Sequence, residues 1–400
     1  MPEWKFIAAI PGLTAQRAAD AGDMTIVPES DPRVSEGSLE EYAHVKRYLA
    51  EFRGLTGCPV PSLLLLRRAN LKGRVPGEDL VFLRNTFALS VTLLSRARRS
   101  RRYNVSIPQF TDAFEWPPTW LVSEPRFIRV ETAATMVLGD FKTFCGHPSH
   151  VYPYGTIEPL EWDVPLFTAL TSLWRSRRTA ERAFRRKIAR AVEIAYIAHR
   201  APDNPVKNDW YYGVSNALLV TALETITNVS GAVKFEDVRR VVEAVPWPKE
   251  LRRKLAHYDS RSPHLLSHRP ARLTAPKPPM TRPVQVCSRL YRTRNLVFHG
   301  EPIRGPYLRD RRRHRSWGHL PYEGAALFRC VLLQALASHG HGSYAVPLSE
   351  REERTLDTGL DMTDRLIRRL TASRAIEEAH GEYYSALWEA RSRSARRRKE

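Results

Sequence analysis

Short apolar runs separated by Pro, Gly and Asp fill the first 160 residues of the chain. Runs of this length, bounded by turn residues, are typical of strands. The candidate strands cover residues 5–10, 24–27, 61–66 and 127–130. Because helical stretches separate these strands, the pattern predicts a mixed α and β region.

Two stretches in the same region space their apolar residues as an α-helix does. The first follows a capping-box pattern at residues 38–41 and continues until Gly54 stops it. The second places several apolar side chains on one face before it runs into the arginines of residues 96–102. These side chains are Leu80, Leu83, Phe87, Val91 and Leu94.

From about Val164 onward, helical spacing replaces the strand pattern. We expect helices that begin near Leu166 and Phe184, and others over residues 210–228, 284–299, 322–337 and 349–391. The helix over residues 210–228 is apolar almost all round, which places it in the centre of a bundle. Residues 261–283 are rich in Pro, Arg, Ser and His and predict a loop.

These patterns predict an α+β protein in three parts. Residues 1–160 form a mixed α/β N-terminal domain, residues 161–345 form an all-α helical bundle, and residues 346–400 add helices and a basic tail. A chain of 400 residues is long enough for two to three domains, each with its own core.

The composition describes a folded and strongly basic protein. The formal net charge of +20 favours a polyanionic partner such as nucleic acid. The four cysteines lie far apart and form no Cys-x-x-Cys pair, as in reduced intracellular proteins. No run is long enough to span a membrane, and the N-terminus lacks a signal-peptide pattern. We therefore expect a soluble, cytoplasmic protein.

One segment of the bundle combines two side chains that can cleave a phosphodiester without a metal. Arg294 is followed at once by Asn295, and His299 comes after four intervening positions, just before Gly300. A guanidinium can hold two phosphate oxygens, and imidazole has the side-chain pKa closest to neutrality. Arg294 is therefore a candidate phosphate clamp, and His299 is a candidate proton carrier.

This arrangement resembles the HEPN superfamily, the higher eukaryote and prokaryote nucleotide-binding domains. The signature of that family is an Arg, a polar residue and then a His after four to six intervening positions, which Arg294, Asn295 and His299 match. Residues 222–224, Ala-Leu-Glu, resemble a segment that is habitual in the family. The resemblance covers residues 164–345 and implies that the bundle is an all-α HEPN domain.

The resemblance also implies a metal-independent endoribonuclease that needs no cofactor, like the family's toxins and its abortive-infection proteins of antiviral defence. The ribose 2′-hydroxyl would attack the adjacent phosphorus, with His299 as general base or acid and Arg294 neutralising the phosphoryl charge. Asn295 would orient the imidazole or bind the phosphate, and Glu224 would hold Arg294 in place. By analogy, the N-terminal domain would sense a trigger, such as a protein trigger or inhibitor, or restrain the nuclease.

Arg294 and His299 do not share a face of a straight helix. Five positions rotate about 500°, which leaves the two residues roughly 140° apart. Either the helix distorts near Gly300 and Pro302, or a second protomer completes the site. HEPN nucleases commonly place their motifs together across a two-fold axis, so we expect a homodimer.

Two other functions fit the same residues. In a catalytically inert HEPN module, used for dimerisation or partner binding, Arg294 would pair with an acidic residue and His299 would cap the helix. In a basic regulator, arginines would bind duplex DNA with a steep dependence on salt.

Other polar groups are candidates for RNA or metal binding. A cluster that follows the motif could hold the RNA backbone while its tryptophan stacks on a base, or it could be a solvated loop. Its members are Arg309, Arg311, Arg312, Arg313, Arg315 and Trp317. Residues 145–150 and 339–341 carry metal-binding side chains but no second ligand pair, so we predict no metal site. Arg84 and Asn85 copy the start of the motif without its histidine, and we expect them on a solvated helix face.

Overall fold

The computed structural model describes fourteen stretches of the chain. They are residues 2–50, 52, 59–71, 75–99, 110–114, 119–121, 128–130, 136–138, 159–176, 178–200, 208–227, 234–247, 281–300 and 319–342. Residues 261–280 of the loop predicted over 261–283 and the predicted helix over residues 349–391 lie outside them. The end of that loop prediction is wrong, because Arg282 and Pro283 begin a helix.

A four-stranded antiparallel sheet forms the N-terminal part. Its strands are β1 (Trp4–Pro11), β2 (Ala19–Ala21), β3 (Met24–Pro28) and β4 (Ser62–Arg68), in the order β1-β4-β3-β2. Successive side chains of a strand point to opposite faces. Leu63 and Leu65 therefore enter one core while Leu64 and Leu66 enter another, and all four are fully buried. The sheet is covered on both faces.

Helix α1 (Tyr42–Ala50) covers one face of this sheet with Val45, Tyr48 and Leu49. The capping box predicted at residues 38–41 is wrong, because the helix begins only at Tyr42. The Ser38 carbonyl instead accepts the backbone N–H groups of Glu3 and Trp4, each at 3.0 Å. Residues 38–41 thus attach to β1 rather than starting the helix.

A second antiparallel sheet contains β5 (Thr119–Leu121), β6 (Ile128–Val130) and β7 (Met136–Leu138), with β6 in the middle. The strand predicted over residues 127–130 corresponds to β6. Strands β2, β5 and β7 were not predicted, because a three-residue strand is too short to show an alternating pattern.

Seven further helices follow α1. They are α2 (Gly77–Arg99), α3 (Val164–Arg175), α4 (Arg182–Ala198), α5 (Asn208–Thr227), α6 (Phe235–Ala244), α7 (Arg282–Phe298) and α8 (His319–Ser338). A short 3₁₀ helix spans Thr179–Glu181. After residue 163, the described residues contain helices and no strand, as predicted. The fold is therefore mixed α and β.

Helix α5 lies in the centre of the helical part, as its apolar sequence predicts. It packs against α4, α6, α7 and α8, and its residues Leu219, Val220, Ala222 and Leu223 are fully buried. Helix α6 was not predicted, although Phe235, Val238 and Val242 follow helical spacing.

Helix α2 contributes to two cores. Leu80, Leu83 and Phe87 pack with the sheet, whereas Leu89 and Leu93 pack with α3, α4, α5 and α8. Because its opposite faces are covered by different elements, α2 joins the sheet to the bundle.

A buried ion pair ties three of these helices together. Asp163 accepts the Leu166 N–H at 3.2 Å as the cap of α3, and its second carboxylate oxygen accepts a hydrogen bond from Arg329 of α8. The backbone N–H of Asp163 donates to the Ser90 carbonyl of α2 at 3.0 Å. Among the described helices, none is both long and apolar enough to cross a membrane.

Candidate functional site

Helix α7 turns one face toward Glu224 of α5. Cys287, Tyr291 and Arg294 occupy this face, because spacings of four and three residues align side chains on a helix. The closest charged contact is between Arg294 Nη2 and Glu224 Oε2, at 3.7 Å. The structure therefore places Glu224 beside Arg294.

The Glu224 charge and burial together suppress ionisation of the other two residues on this face. Burial, with the Glu224 charge as the smaller cause, raises the pKa of Cys287 to about 12. The same two causes raise the pKa of Tyr291 far above its ordinary value. Neither side chain is a base or an anionic nucleophile at neutral pH, which leaves Arg294 as the charged group of α7 that meets Glu224.

The Arg294 guanidinium is held by loose contacts. Its Nη1 donates to the Asn295 side-chain oxygen at 3.4 Å, and its central carbon lies 4.9 Å from the centre of the Phe298 ring. Its buried Nε has no hydrogen-bond partner within the described residues. A buried donor without a partner is costly, so a ligand oxygen that accepted from this nitrogen would relieve that cost.

His299 lies at the C-terminal end of α7 and is exposed. Its backbone N–H donates to the Asn295 carbonyl at 3.0 Å, so the α-helical bonding continues to this residue. The chain turns only at Gly300, where φ is +66°. The backbone hydrogen bonding of α7 is therefore regular as far as His299, and regular helix geometry places Arg294 and His299 roughly 140° apart around the axis.

Asn295 and His299 instead share the exposed face of α7, because they are four residues apart and both are exposed. Phe298 beside them is an exposed large apolar side chain, with 65% of its surface accessible. The predicted catalytic residues are thus divided in one chain. Arg294 is turned to Glu224, and Asn295 and His299 are turned to solvent.

Two other sets of predicted residues have different outcomes. The arginines of residues 309–315 and Trp317 lie outside the described residues, as do residues 145–150.

The solvated face predicted for Arg84 and Asn85 is wrong, because Asn85 is only 2% exposed. Arg84 donates two hydrogen bonds to its side-chain oxygen, at 3.0 and 3.1 Å, and lies 4.7 Å over the Tyr196 ring. This pair is part of the packing between α2 and α4.

His341 belongs to a hydrogen-bonded cluster that the sequence did not indicate. Its Nδ1 lies 3.3 Å from the Ser172 hydroxyl and its Nε2 lies 3.1 Å from the Glu181 carboxylate. A Ser–His–Glu order suggests a nucleophile, yet Ser172 lies within α3, where backbone N–H groups are used by the helix and cannot form an oxyanion hole. The cluster attaches the end of α8 to α3. Ser172 and His341 are 169 positions apart along the chain, so no local sequence pattern indicates their contact.

No protein-family model matches the chain, and no curated protein or solved structure does either. Within the described ranges, no group of three His, Cys, Asp or Glu side chains could hold a metal ion. The end of α7 presents a guanidinium, an amide and an imidazole. These groups can bind a phosphodiester and transfer protons.

Proposed function

We propose that the protein is a metal-independent endoribonuclease of the HEPN type that acts as a homodimer. The observation that carries this proposal is the α7 end, where a loosely held arginine with an unpartnered buried Nε lies within about one and a half turns of an exposed asparagine and histidine. The net charge of +20 supports an RNA substrate, because a basic protein attracts polyanions and raises their encounter rate.

The reaction assigned to this site is transfer of the phosphoryl group from the 5′-oxygen to the neighbouring ribose 2′-oxygen. His299 takes the proton of the 2′-hydroxyl, whose oxygen attacks phosphorus while the bond to the 5′-oxygen breaks. The products are a cyclic phosphate and a 5′-hydroxyl, whose proton comes from solvent water. Arg294 stabilises the charge that develops on the non-bridging oxygens, and Glu224 positions Arg294.

A dimer supplies what one chain lacks. Arg294 and His299 lie on different faces of a regular helix, so we assign the two groups that act on one phosphate to different protomers. A two-fold axis near Phe298 would bring the arginine of one protomer toward the histidine of the other. It would also cover the exposed Phe298 ring, as exposed apolar groups at association sites are covered.

A catalytically inert HEPN module is the second candidate, and one observation favours it. Arg294 pairs with Glu224 and His299 caps α7, which is the arrangement expected if both residues only stabilise the helix end. Such a module would bind a partner protein and would leave RNA intact.

An RNA cleavage assay in EDTA separates the two candidates. The nuclease cuts RNA without a divalent ion, and His299→Ala lowers the rate by about 10²- to 10⁴-fold. Arg294→Ala costs a similar factor, since loss of one transition-state donor typically costs about 10²- to 10³-fold. Glu224→Gln keeps the shape of the partner but removes its charge, and it lowers the rate less than Arg294→Ala does.

Two residues outside α7 are matched controls. His44→Ala removes a half-buried imidazole on α1, and Arg190→Ala removes an exposed guanidinium on α4. Both variants should cut RNA at the wild-type rate, and all variants should melt near the wild-type temperature. Cleavage that survives in both Arg294→Ala and His299→Ala, or that requires a divalent ion, rejects the nuclease. Absence of any cleavage favours the inert module.

A further inference from the structure

A second cleft opens between the four-stranded sheet and the helices, away from the α7 site. It has a volume of about 430 Å³, which is within the usual range for small-molecule sites. Its walls come from the β2–β3 hairpin, strand β4, the start of α2, the end of α3 and the first turn of α4. We call it the sheet–helix cleft.

One wall of the sheet–helix cleft is aromatic and rigid. The rings of Phe82 and Trp174 stack in parallel, with centroids 4.2 Å apart and an angle of 12° between their planes. The indole N–H of Trp174 donates to Asp79 at 2.8 Å, which fixes the ring in its plane. Met24, Val75 and Leu83 extend this wall with apolar surface.

Two arginines with unused donors also line the sheet–helix cleft. Arg175 is exposed and forms no hydrogen bond or ion pair with any described residue. Arg185 donates from Nη1 to the Ser176 carbonyl at 2.5 Å, and its guanidinium lies 5.8 Å from the Trp174 ring centre. A guanidinium has five N–H donors, so most donors of this pair are open to a ligand. Two guanidinium groups in one cleft suit the oxygens of a phosphate.

Gly22 makes room for one of these arginines. It forms the turn between β2 and β3 with a φ of +77°, and a Cβ at this position would overlap the Arg175 guanidinium. A glycine here therefore serves two requirements at once, because it adopts the left-handed backbone without strain and leaves space for the Arg175 side chain at the cleft.

We propose that the sheet–helix cleft binds a nucleotide. The Arg175 and Arg185 guanidinium groups hold its phosphates, and the base lies against the aromatic wall formed by Phe82 and Trp174. Asp23, which also lines the cleft, provides carboxylate oxygens for the ribose hydroxyls. A simple anion would leave the apolar wall unused. The proposal does not depend on the nuclease activity, since no residue of the α7 site lines this cleft.

Isothermal titration calorimetry on the full chain tests the proposal, with ADP, adenosine and inorganic phosphate as separate probes. The salt is kept at about 0.15 M to screen unspecific attraction to the basic surface. ADP should bind, while adenosine and phosphate alone should each bind at least about tenfold more weakly, because each makes only part of these contacts. Arg175→Ala and Arg185→Ala should each lower the affinity for ADP about 10- to 100-fold, which is the range for loss of a charged hydrogen bond.

Arg190→Ala is the matched control, because Arg190 lies on α4 outside the cleft and pairs with Glu193 at 2.8 Å. It should leave ADP affinity unchanged. If Arg185→Ala fails to fold, Arg175→Ala decides the question, since the exposed Arg175 makes no polar contact with the described residues that folding would lose. The proposal is overturned if ADP does not bind, if phosphate binds as tightly as ADP, or if Arg190→Ala weakens ADP as much as Arg175→Ala.

Discussion

The separation of Arg294 and His299 on a straight α7 makes a quantitative prediction about mixed dimers. One protomer carries Arg294→Ala and the other carries His299→Ala, and each bears a different affinity tag. If one catalytic pair takes its arginine from one protomer and its histidine from the other, the mixed dimer has one intact pair and one pair that lacks both groups. It should therefore retain about half of the wild-type activity per dimer, whereas each single-variant homodimer is inactive.

The assay is cleavage of a labelled RNA in EDTA by mixed dimers purified on both tags in succession. A site built within one chain predicts a different result, because each protomer of the mixed dimer would lack one catalytic group and no activity would return. Recovery of activity near one half supports the composite site. A mixed dimer without activity refutes it, and so does the failure to recover any complex on the second tag.

Three further predictions concern the packing of the helices. Asp163→Ala removes the cap of α3 and breaks the ion pair between Asp163 and the half-buried Arg329, so urea unfolding should show a loss of roughly 3 to 5 kcal/mol. Asp163→Asn should lose less. The hydrogen bond from Ser176 is the main cause that holds the pKa of Glu181 below its usual value of 4.5. The contribution of the ionised Glu181 to the stability of the fold is therefore complete above pH 4.5 and is lost as the pH falls through the lowered pKa. Glu181→Gln should flatten the resulting decline of the melting temperature at acid pH. The Cys287 thiol, with its pKa raised to about 12, should resist iodoacetamide at about pH 8 until the chain unfolds, since only a thiolate reacts.

Each of these predictions has an outcome that contradicts it. Equal losses in Asp163→Ala and Asp163→Asn would mean that the charge, and not the cap, carries the whole effect. An unchanged acid-side decline in Glu181→Gln would assign that decline to other carboxylates. Rapid alkylation of Cys287 in the folded chain would show that α7 opens readily from α5.

The apolar pattern predicted much of the fold because burial dominates its energetics. The unbroken run of leucines in β4 predicts a strand, and the structure covers that strand on both faces. Helix α5 is central because it has no polar face. Helix α1 shows the limit of local rules, since the peptide groups around Ser38 gain more from pairing with β1 than from capping a helix.

The candidate site was predictable only where its residues are close in sequence. The spacing from Arg294 to His299 gave the angle between them, because helix geometry fixes it. The Glu181–His341 contact and the sheet–helix cleft depend on elements far apart along the chain, and no local pattern marks them. The burial of Asn85 was missed for the same reason, since α4 covers it and follows it by about a hundred residues.

The position of α2 between two cores has a consequence for synthesis of the chain on the ribosome. The core on the α2 side of the sheet includes Phe167 of α3 and Tyr196 of α4. The strands are complete by Arg68 and α2 ends at Arg99, yet this core gains Phe167 and Tyr196 only about a hundred residues or more after the last strand. The core between the sheet and α2 is therefore completed only late in translation, and its open part is a surface that a chaperone would meet until then.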